Sequence, residues 1–211
     1  MRNKTKRADH TFHRKLTYLR SPAGAAWSRA WALTMALSAA LTLTMLAAPA
    51  AQAFTGCSVH NYITNGNFYV SAELGYGAGK YGMLRARASQ PGPWENYKLC
   101  YNFDSDGSKV WSIMSEANGR WVSAEVSYTG SYTGMLRARA TSVGPWEKFK
   151  IFRINGMGAY YFKSTANNRY VSAEYGYTGV DHAMLRARAT TVGTWEHFGF
   201  LCSSGVLGSC P

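Results

Sequence analysis

The sequence predicts an all-β fold, three four-stranded repeats with pseudo-threefold symmetry, and three observations predict it. A pentapeptide recurs, as YVSAE at Tyr69–Glu73, WVSAE at Trp121–Glu125 and YVSAE at Tyr170–Glu174. MLRARA begins ten residues after each glutamate, at Met83, Met135 and Met184. A Gly-x-Trp-Glu follows, at Gly92–Glu95, Gly144–Glu147 and Gly193–Glu196. Each valine (Val70, Val122, Val171) stands 24 residues before its tryptophan, and successive valines are 52 and 49 residues apart. A fixed period of this length marks repeated supersecondary units that share one core.

Each element follows from its pattern. In Tyr69–Glu73, Val70 and Ala72 point one way and Ser71 and Glu73 the other, between Asn65-Gly66 and Gly75. That is the alternation of a half-buried strand. In Met83–Ala88, Leu84, Ala86 and Ala88 share one face and Met83, Arg85 and Arg87 the opposite face, which a strand separates and a helix would scatter. Gly92-Pro93 makes a turn, and Trp94–Leu99 begins the next strand. A fourth strand is read at Val59–Ile63, Trp111–Met114 and Tyr160–Lys163. Four strands in each of three units select a β-trefoil among sandwiches and barrels. Three units are too few for a propeller, and an open solenoid would leave edges exposed.

The first 53 residues are of a different kind. Eight Lys and Arg residues lie between Arg2 and Arg29, Ala32–Leu46 is apolar, and Ala51-Gln52-Ala53 follows Pro49. This is a long n-region, an h-region and a small-x-small cleavage site, so residues 1–53 are read as a secretory signal peptide cut after Ala53. The alternative is an uncleaved anchor, because no charged side chain occurs between Arg29 and Glu73. The single domain is then 54–211, with repeats at roughly 58–106, 107–157 and 158–205. These 158 residues suffice for one core.

The leader also holds most of the net charge of +12, and residues 54–211 keep fifteen basic against ten acidic side chains. A mild excess is not the basic patch that nucleic-acid binding needs. Six of those bases are the repeat arginines and six of the acids the repeat glutamates. The four cysteines, Cys57, Cys100, Cys202 and Cys210, argue for two disulfides in a secreted chain. First and last strands are neighbours in a trefoil, so Cys57 should reach Cys202, or failing that Cys210, with Cys100 taking the remaining partner; the expected pairs are Cys57–Cys202 and Cys100–Cys210. No Cys-x-x-Cys occurs, and no metal site or cofactor is expected.

Asn118-Gly119-Arg120-Trp121-Val122-Ser123-Ala124-Glu125 and Gly144-Pro145-Trp146-Glu147-Lys148-Phe149, with a leucine–alanine strand between them, resemble the fascin-like (actin-crosslinking) group of β-trefoils. The resemblance covers nearly all of residues 54–211. It departs in one strand, where family members often read Leu-x-Ala-Asn-Arg and this chain reads Leu-x-Ala-Arg-Ala. Fascin bundles actin with four trefoils, whereas this chain has one trefoil and a bacterial-looking leader. The resemblance therefore implies the fold more than the activity. Single secreted trefoils are often sugar-binding modules, which is an analogy of fold.

Candidate residues were weighed individually. Val70, Leu84, Trp94 and Tyr97, with Val122, Leu136, Trp146 and Phe149 and with Val171, Leu185, Trp195 and Phe198, are read as core. Glu73, Glu125 and Glu174, like Glu95, Glu147 and Glu196, could be catalytic carboxylates, which in retaining glycosidases lie about 5 Å apart. Threefold repetition instead favours salt bridges to arginine or hydrogen bonds to turns. The pairs Arg85/Arg87, Arg137/Arg139 and Arg186/Arg188 are secondary candidates, as forks for carboxylate or phosphate or as partners of glutamates twelve residues away. Tyr76, Tyr128 and Tyr177, each three residues after its glutamate in a small-residue loop, are the leading ligand-binding candidates. They offer a face to a sugar ring, with Lys80, Tyr132 or Asp181 as polar partners, or pack on their own hairpins. Asp104-Ser105-Asp106-Gly107 begins like a calcium loop but lacks the closing glutamate, so a turn is expected. His60, His182 and His197 form no catalytic pattern.

The sequence reading is a secreted, monomeric, non-enzymatic binding module, not bound to membrane once processed. Its expected partner is an extracellular glycan or polysaccharide held at up to three related sites. The alternative is a protein partner, met in the fascin manner.

Overall fold

A computed structural model describes residues 53–201. The expected signal peptide, Cys202 and Cys210 lie outside these residues, except Ala53 at the leader's end. The described chain forms twelve strands and five short 3₁₀ turns. The strands are β1 (Gly56–Asn65), β2 (Phe68–Glu73), β3 (Met83–Ala88), β4 (Tyr97–Phe103), β5 (Lys109–Ser115) and β6 (Arg120–Glu125). They continue as β7 (Met135–Ala140), β8 (Phe149–Ile154), β9 (Ala159–Ser164), β10 (Arg169–Glu174), β11 (Met184–Ala189) and β12 (Gly199–Leu201). Among the described residues no helix is long and apolar enough to cross a membrane.

The alternation read from the sequence places the core. Val70, Val122 and Val171, Leu84, Leu136 and Leu185, and Tyr97, Phe149 and Phe198 are buried together, with Ala72, Ala124 and Ala173 between them. Large rings from the barrel strands, Trp111 and Phe162, complete the cluster.

The expected β-trefoil of three four-stranded repeats with pseudo-threefold symmetry is corrected by the pairing. All twelve strands join one antiparallel sheet, and ten of them close a barrel in the order β10-β9-β8-β5-β4-β1-β2-β3-β7-β11 and back to β10. The extra strands β6 and β12 attach to β5 and β7 and to β1. Pairings cross the repeat boundaries, as in β4 with β5, β8 with β9 and β1 with β12. The ends are unequal too, with ten residues in β1 and three in β12. A strand edge must find a partner, and the nearest free edge belongs to the next repeat, so no repeat is a self-contained sheet.

The hairpins β2–β3, β6–β7 and β10–β11 converge. Their inner strands hydrogen-bond to one another in a cycle: the Ala138 amide donates to the Gly82 carbonyl at 2.7 Å, Ala187 to Gly134 at 2.7 Å and Ala86 to Ala183 at 3.0 Å. The approach is so close that a Cβ on Gly82 would lie 2.5 Å from the Ala138 oxygen, and one on Gly134 2.4 Å from that of Ala187. Both glycines have left-handed backbones, φ +75° and +73°. The third position is Ala183, held at φ 58° and fully buried.

The expected Cys57–Cys202 and Cys100–Cys210 pairing is overturned, because Cys57 is bonded to Cys100. First and last strands are indeed neighbours, but β12 meets only the far end of β1, from Tyr62 to Thr64. The early part of the long β1 faces β4, where Cys57 lies directly opposite Cys100.

Two outcomes follow. The bond closes a loop with a sequence separation of 43, and opening it by Cys57→Ala with Cys100→Ala should cost about 2–4 kcal/mol in denaturant unfolding. Peptide mapping should recover the Cys57–Cys100 crosslink. Gly134→Ala, which sets a methyl against a backbone carbonyl at an unfavourable φ, should cost more than about 2 kcal/mol. An unchanged melting temperature would mean that the hairpins do not meet this closely.

Candidate functional site

Every repeat carries the same two-layer charge arrangement on its hairpin. Glu73, Glu125 and Glu174 are buried, at 3%, 0% and 2% exposure. Each receives two hydrogen bonds from the outer arginine of its hairpin, Arg87, Arg139 and Arg188, through Nε and Nη2. The Nη2 distances are 3.0, 2.7 and 2.7 Å. This bidentate geometry is the strong form of the carboxylate–guanidinium contact, and it raises the pKa of all three arginines. Each carboxylate forms the arginine salt bridge that repetition suggested, with both hydrogen bonds coming from the outer arginine; of the expected partners twelve residues on, Arg85 lies 3.9 Å from Glu73. A β-bulge, in which Tyr69 opposes Ala88 and Val70 opposes Ala86, leaves Arg87 as the extra residue, and the same shift recurs at Arg139 and Arg188. The hydrogen bonds of the residues twelve from the glutamates, Arg85, Arg137 and Arg186, go elsewhere.

These inner arginines are buried, at 7%, 5% and 5% exposure, and each ties its hairpin to the loop of another. Arg85 donates to the carbonyls of His182 (2.8 Å) and Gly179 (3.3 Å) in the third loop. Arg137 donates to Tyr81 and Ala78, both at 2.8 Å, in the first loop. Arg186 donates to Thr133 (2.9 and 3.0 Å) and Gly130 (3.3 Å) in the second. The remaining nitrogen of each reaches the tyrosine of its own loop: Tyr76 at 2.7 Å, Tyr128 at 2.6 Å and Tyr177 at 2.5 Å. Burial lowers the pKa of Arg186.

The leading candidates Tyr76, Tyr128 and Tyr177 are therefore half-buried and oriented through their hydroxyls. Their rings gather over one cluster of fully buried methionines, Met83, Met135 and Met184. Lys80, Tyr132 and Asp181, which hold one equivalent position in the three loops, meet there as well. Asp181 accepts from Lys80 at 2.7 Å and from Tyr132 at 2.9 Å, and the Lys80 ammonium lies 5.1 Å from the Tyr132 ring centre. The Asp181 hydrogen bond raises the Lys80 pKa. This contact is complete at neutral pH and is lost only as pH climbs through that raised value. The three loops thus share one surface, where the sequence suggested three.

The tryptophans reverse the core expectation. Trp94 is 48% and Trp195 40% exposed, and Trp146 is half-buried. The chain does not enter a strand here but makes a 3₁₀ turn, at Pro93–Glu95, Pro145–Glu147 and Thr194–Glu196. The glutamate caps each turn: Glu95, Glu147 and Glu196 accept the backbone N–H of Gly92, Gly144 and Gly193 at 2.7 Å. In the first two repeats the other carboxylate oxygen accepts the hydroxyl of Ser71 or Ser123. A rigid turn with a buried carboxylate beneath it therefore presents an indole outward. The signal was in the sequence, since proline at the first position and glutamate at the third is a turn-start signature. Trp195 is further flanked by Tyr175 at 6.0 Å and by Gly176, whose Cβ position lies 3.6 Å from the indole.

Asp104–Gly107 forms the expected turn, with Gly107 at φ 76° and Asp106 accepting from Ser108. Among the described residues, no three His, Cys, Asp or Glu side chains are grouped to hold a metal ion. His60 pairs with Glu116 at 2.8 Å, far in the chain from His182 and His197.

No family model matches the chain, and no curated protein matches it. The fascin-like resemblance stands on its motifs alone. Among solved structures, a BEL beta-trefoil aligns with TM-score 0.52 at 11% identity, covering 74% of this chain and 98% of that one. A Polyporus squamosus lectin bound to the epitope Neu5Aca2-6Galb1-4GlcNAc aligns with TM-score 0.52 at 12% identity, over 70% of this chain and 50% of that one. An exo-beta-1,3-galactanase from Clostridium thermocellum aligns with TM-score 0.55 at 16% identity, over 72% and 32%. At such identities the likeness shows the fold, a β-trefoil-like barrel.

Arg137→Met should cost about 3 kcal/mol, because it strips charged donors from two loop carbonyls and a phenol. Tyr128→Phe should cost about 1 kcal/mol, as the loss of one hydrogen bond. Chemical denaturation measures both, and equal costs would contradict the central place given to the guanidinium.

Proposed function

We propose that this chain is a secreted, non-catalytic carbohydrate-binding module that engages polysaccharide through up to three related surface sites. The observation that carries the reading is one indole per repeat on a capped turn, exposed at Trp94 (48%) and Trp195 (40%) and half-buried at Trp146. An exposed aromatic face fixed in advance suits the apolar face of a pyranose, because little side-chain entropy remains to be lost on binding. The loop tyrosines Tyr76, Tyr128 and Tyr177 belong to the same reading as a shared central surface, oriented by their arginines and flanked by Lys80 and Asp181. The lectin among the structural neighbours supports a sugar as the kind of ligand. The buried repeat carboxylates, all engaged by arginine or by turn amides, support a role without catalysis. Secretion rests on the leader.

Single sites of this kind are weak, and several engaging one polymer gain through effective concentration. A glycan array on the purified protein should identify a neutral or charged polysaccharide ligand. Replacing Trp94, Trp146 and Trp195 together by alanine should abolish pull-down of that polysaccharide, while each single change reduces it. Trp94→Ala alone should shift stability by less than about 1 kcal/mol, as expected for a surface position. Full binding by the folded triple variant would move the site to the tyrosine surface, where replacing Tyr76, Tyr128 and Tyr177 together should then abolish it. A parent that binds no glycan but binds a filament or cell-surface protein would establish the protein-binding alternative.

A further inference from the structure

One face of the barrel departs from the repeat. From Lys148 to Ala173 the chain carries five basic residues, Lys148, Lys150, Arg153, Lys163 and Arg169, and no acidic one. The strands β12 and β1, which close the third repeat and open the first, contain no lysine or arginine. On β8 and β9, Lys150 lies directly opposite Lys163, and Phe152 directly opposite Tyr161. Like charges facing each other across a ladder destabilise it, and here each lysine also has a partner of its own. The Lys163 ammonium lies 4.9 Å from the ring centre of Tyr170, its cross-strand neighbour on β10. Tyr170 meets Tyr161 edge-on at 5.4 Å, and Tyr161 stacks on Phe152 at 5.1 Å. Phe152 is 39% exposed.

A cavity of about 260 Å³ opens beside this strip, lined by Asp104, Lys150, Lys163, Ser164, Thr165 and Asn168. Lys150 reaches Asp106 at 3.1 Å and Asp104 at 3.8 Å across the mouth. Every lining side chain is polar, and one of them, Lys163, lies over the Tyr170 ring. Protein interfaces centre on apolar anchors, and this cavity has none. Two ammonium groups, a carboxylate that can accept hydroxyl donors, and hydroxyl and amide groups between them match a polyhydroxylated ring that bears a negative charge.

We infer that the β8–β9–β10 face is a binding site for an anionic sugar unit, a uronate or a sulfated residue of a polysaccharide, with its charge between Lys150 and Lys163 and its ring against Tyr170. The inference rests on the carbohydrate reading and adds to it the charge of the ligand and a site outside the repeated tryptophans. Neutral glycan binding at the tryptophans would leave that reading intact whatever happens here.

The test compares binding of the purified protein to polygalacturonate, to dextran sulfate and to dextran, by calorimetry at low and high salt. At least one anionic polymer should bind more tightly than dextran, and rising salt should weaken it. The polymer favoured separates carboxylate from sulfate recognition. Lys163→Gln should weaken that binding about tenfold, as expected for loss of one charge-assisted hydrogen bond. Its melting temperature should hold or rise, because the opposed charge is gone. Anionic binding no tighter than dextran, or unchanged in Lys163→Gln, overturns the inference alone. Binding of none of these polymers, with a blank glycan array, overturns both it and the carbohydrate reading. Equal, Lys163-dependent binding of polyglutamate would also overturn it and assign the face to an acidic protein.

Discussion

Everything in the upper layer depends on the meeting of three hairpins. The backbone cycle from Ala138 to Gly82, Ala187 to Gly134 and Ala86 to Ala183 can close only if nothing larger than hydrogen stands at the first two carbonyl positions. Once it closes, the Met83, Met135 and Met184 side chains are sealed beneath, and the inner arginines come within reach of loops from other repeats. The loops have no regular partners of their own. A loop carbonyl left buried without a donor is costly, and a guanidinium supplies several donors from one side chain. The arginines are thus the hydrogen-bonding substitute for a missing strand. That explains why the chain tolerates three buried cations where a neutral strand position would have been cheaper to desolvate.

The same logic fixes the outer layer. Each buried glutamate is neutralised by the bulged arginine of its own hairpin. The inner arginine binds between hairpins and the outer one within a hairpin, so LRARA encodes two different contacts at adjacent outward positions. The family resemblance stops at this strand, and the structure shows why the departure matters. The second arginine sits at a bulge and completes a local ion pair. The first crosses to another repeat.

The barrel's pattern was legible in the sequence because membership of the main apolar core follows the strand alternation: Val70, Ala72, Leu84 and Ala86 join it as their period predicts, while Ser71, Glu73, Met83 and Arg85 are buried outside it. Three things were not legible, for separate physical reasons. The Arg87 pairing depends on an extra residue in one strand, which shifts side-chain register without leaving a mark in composition. The Cys57–Cys100 bond depends on β1 being long enough to serve two partners in succession, and a strand's length beyond its alternating segment is poorly encoded locally. The constant spacing of Trp94 and its counterparts predicts packing in the core. Spacing is equally constant when a capped turn fixes it, and Pro93 with Glu95 was the evidence for the turn.

The distinction between repeated and unrepeated residues also orders the functional surfaces. A residue present in all three copies is under a constraint that the fold itself can impose. The buried glutamates and inner arginines fit that explanation fully, since each has a complete set of partners inside the protein. The tryptophans fit it only in part. Their turns are structural, but the glutamate and glycine suffice to make the turn, and the exposed indole adds little to it. What the fold does not require must be explained by something outside it. The lysine pair of β8 and β9 lies further along the same line: it occurs in one copy only, with its like charges opposed across the ladder and each met by a local partner, Asp106 or Tyr170. A polar pair that the repeat does not require is the kind of mark a ligand can leave on a protein built by repetition.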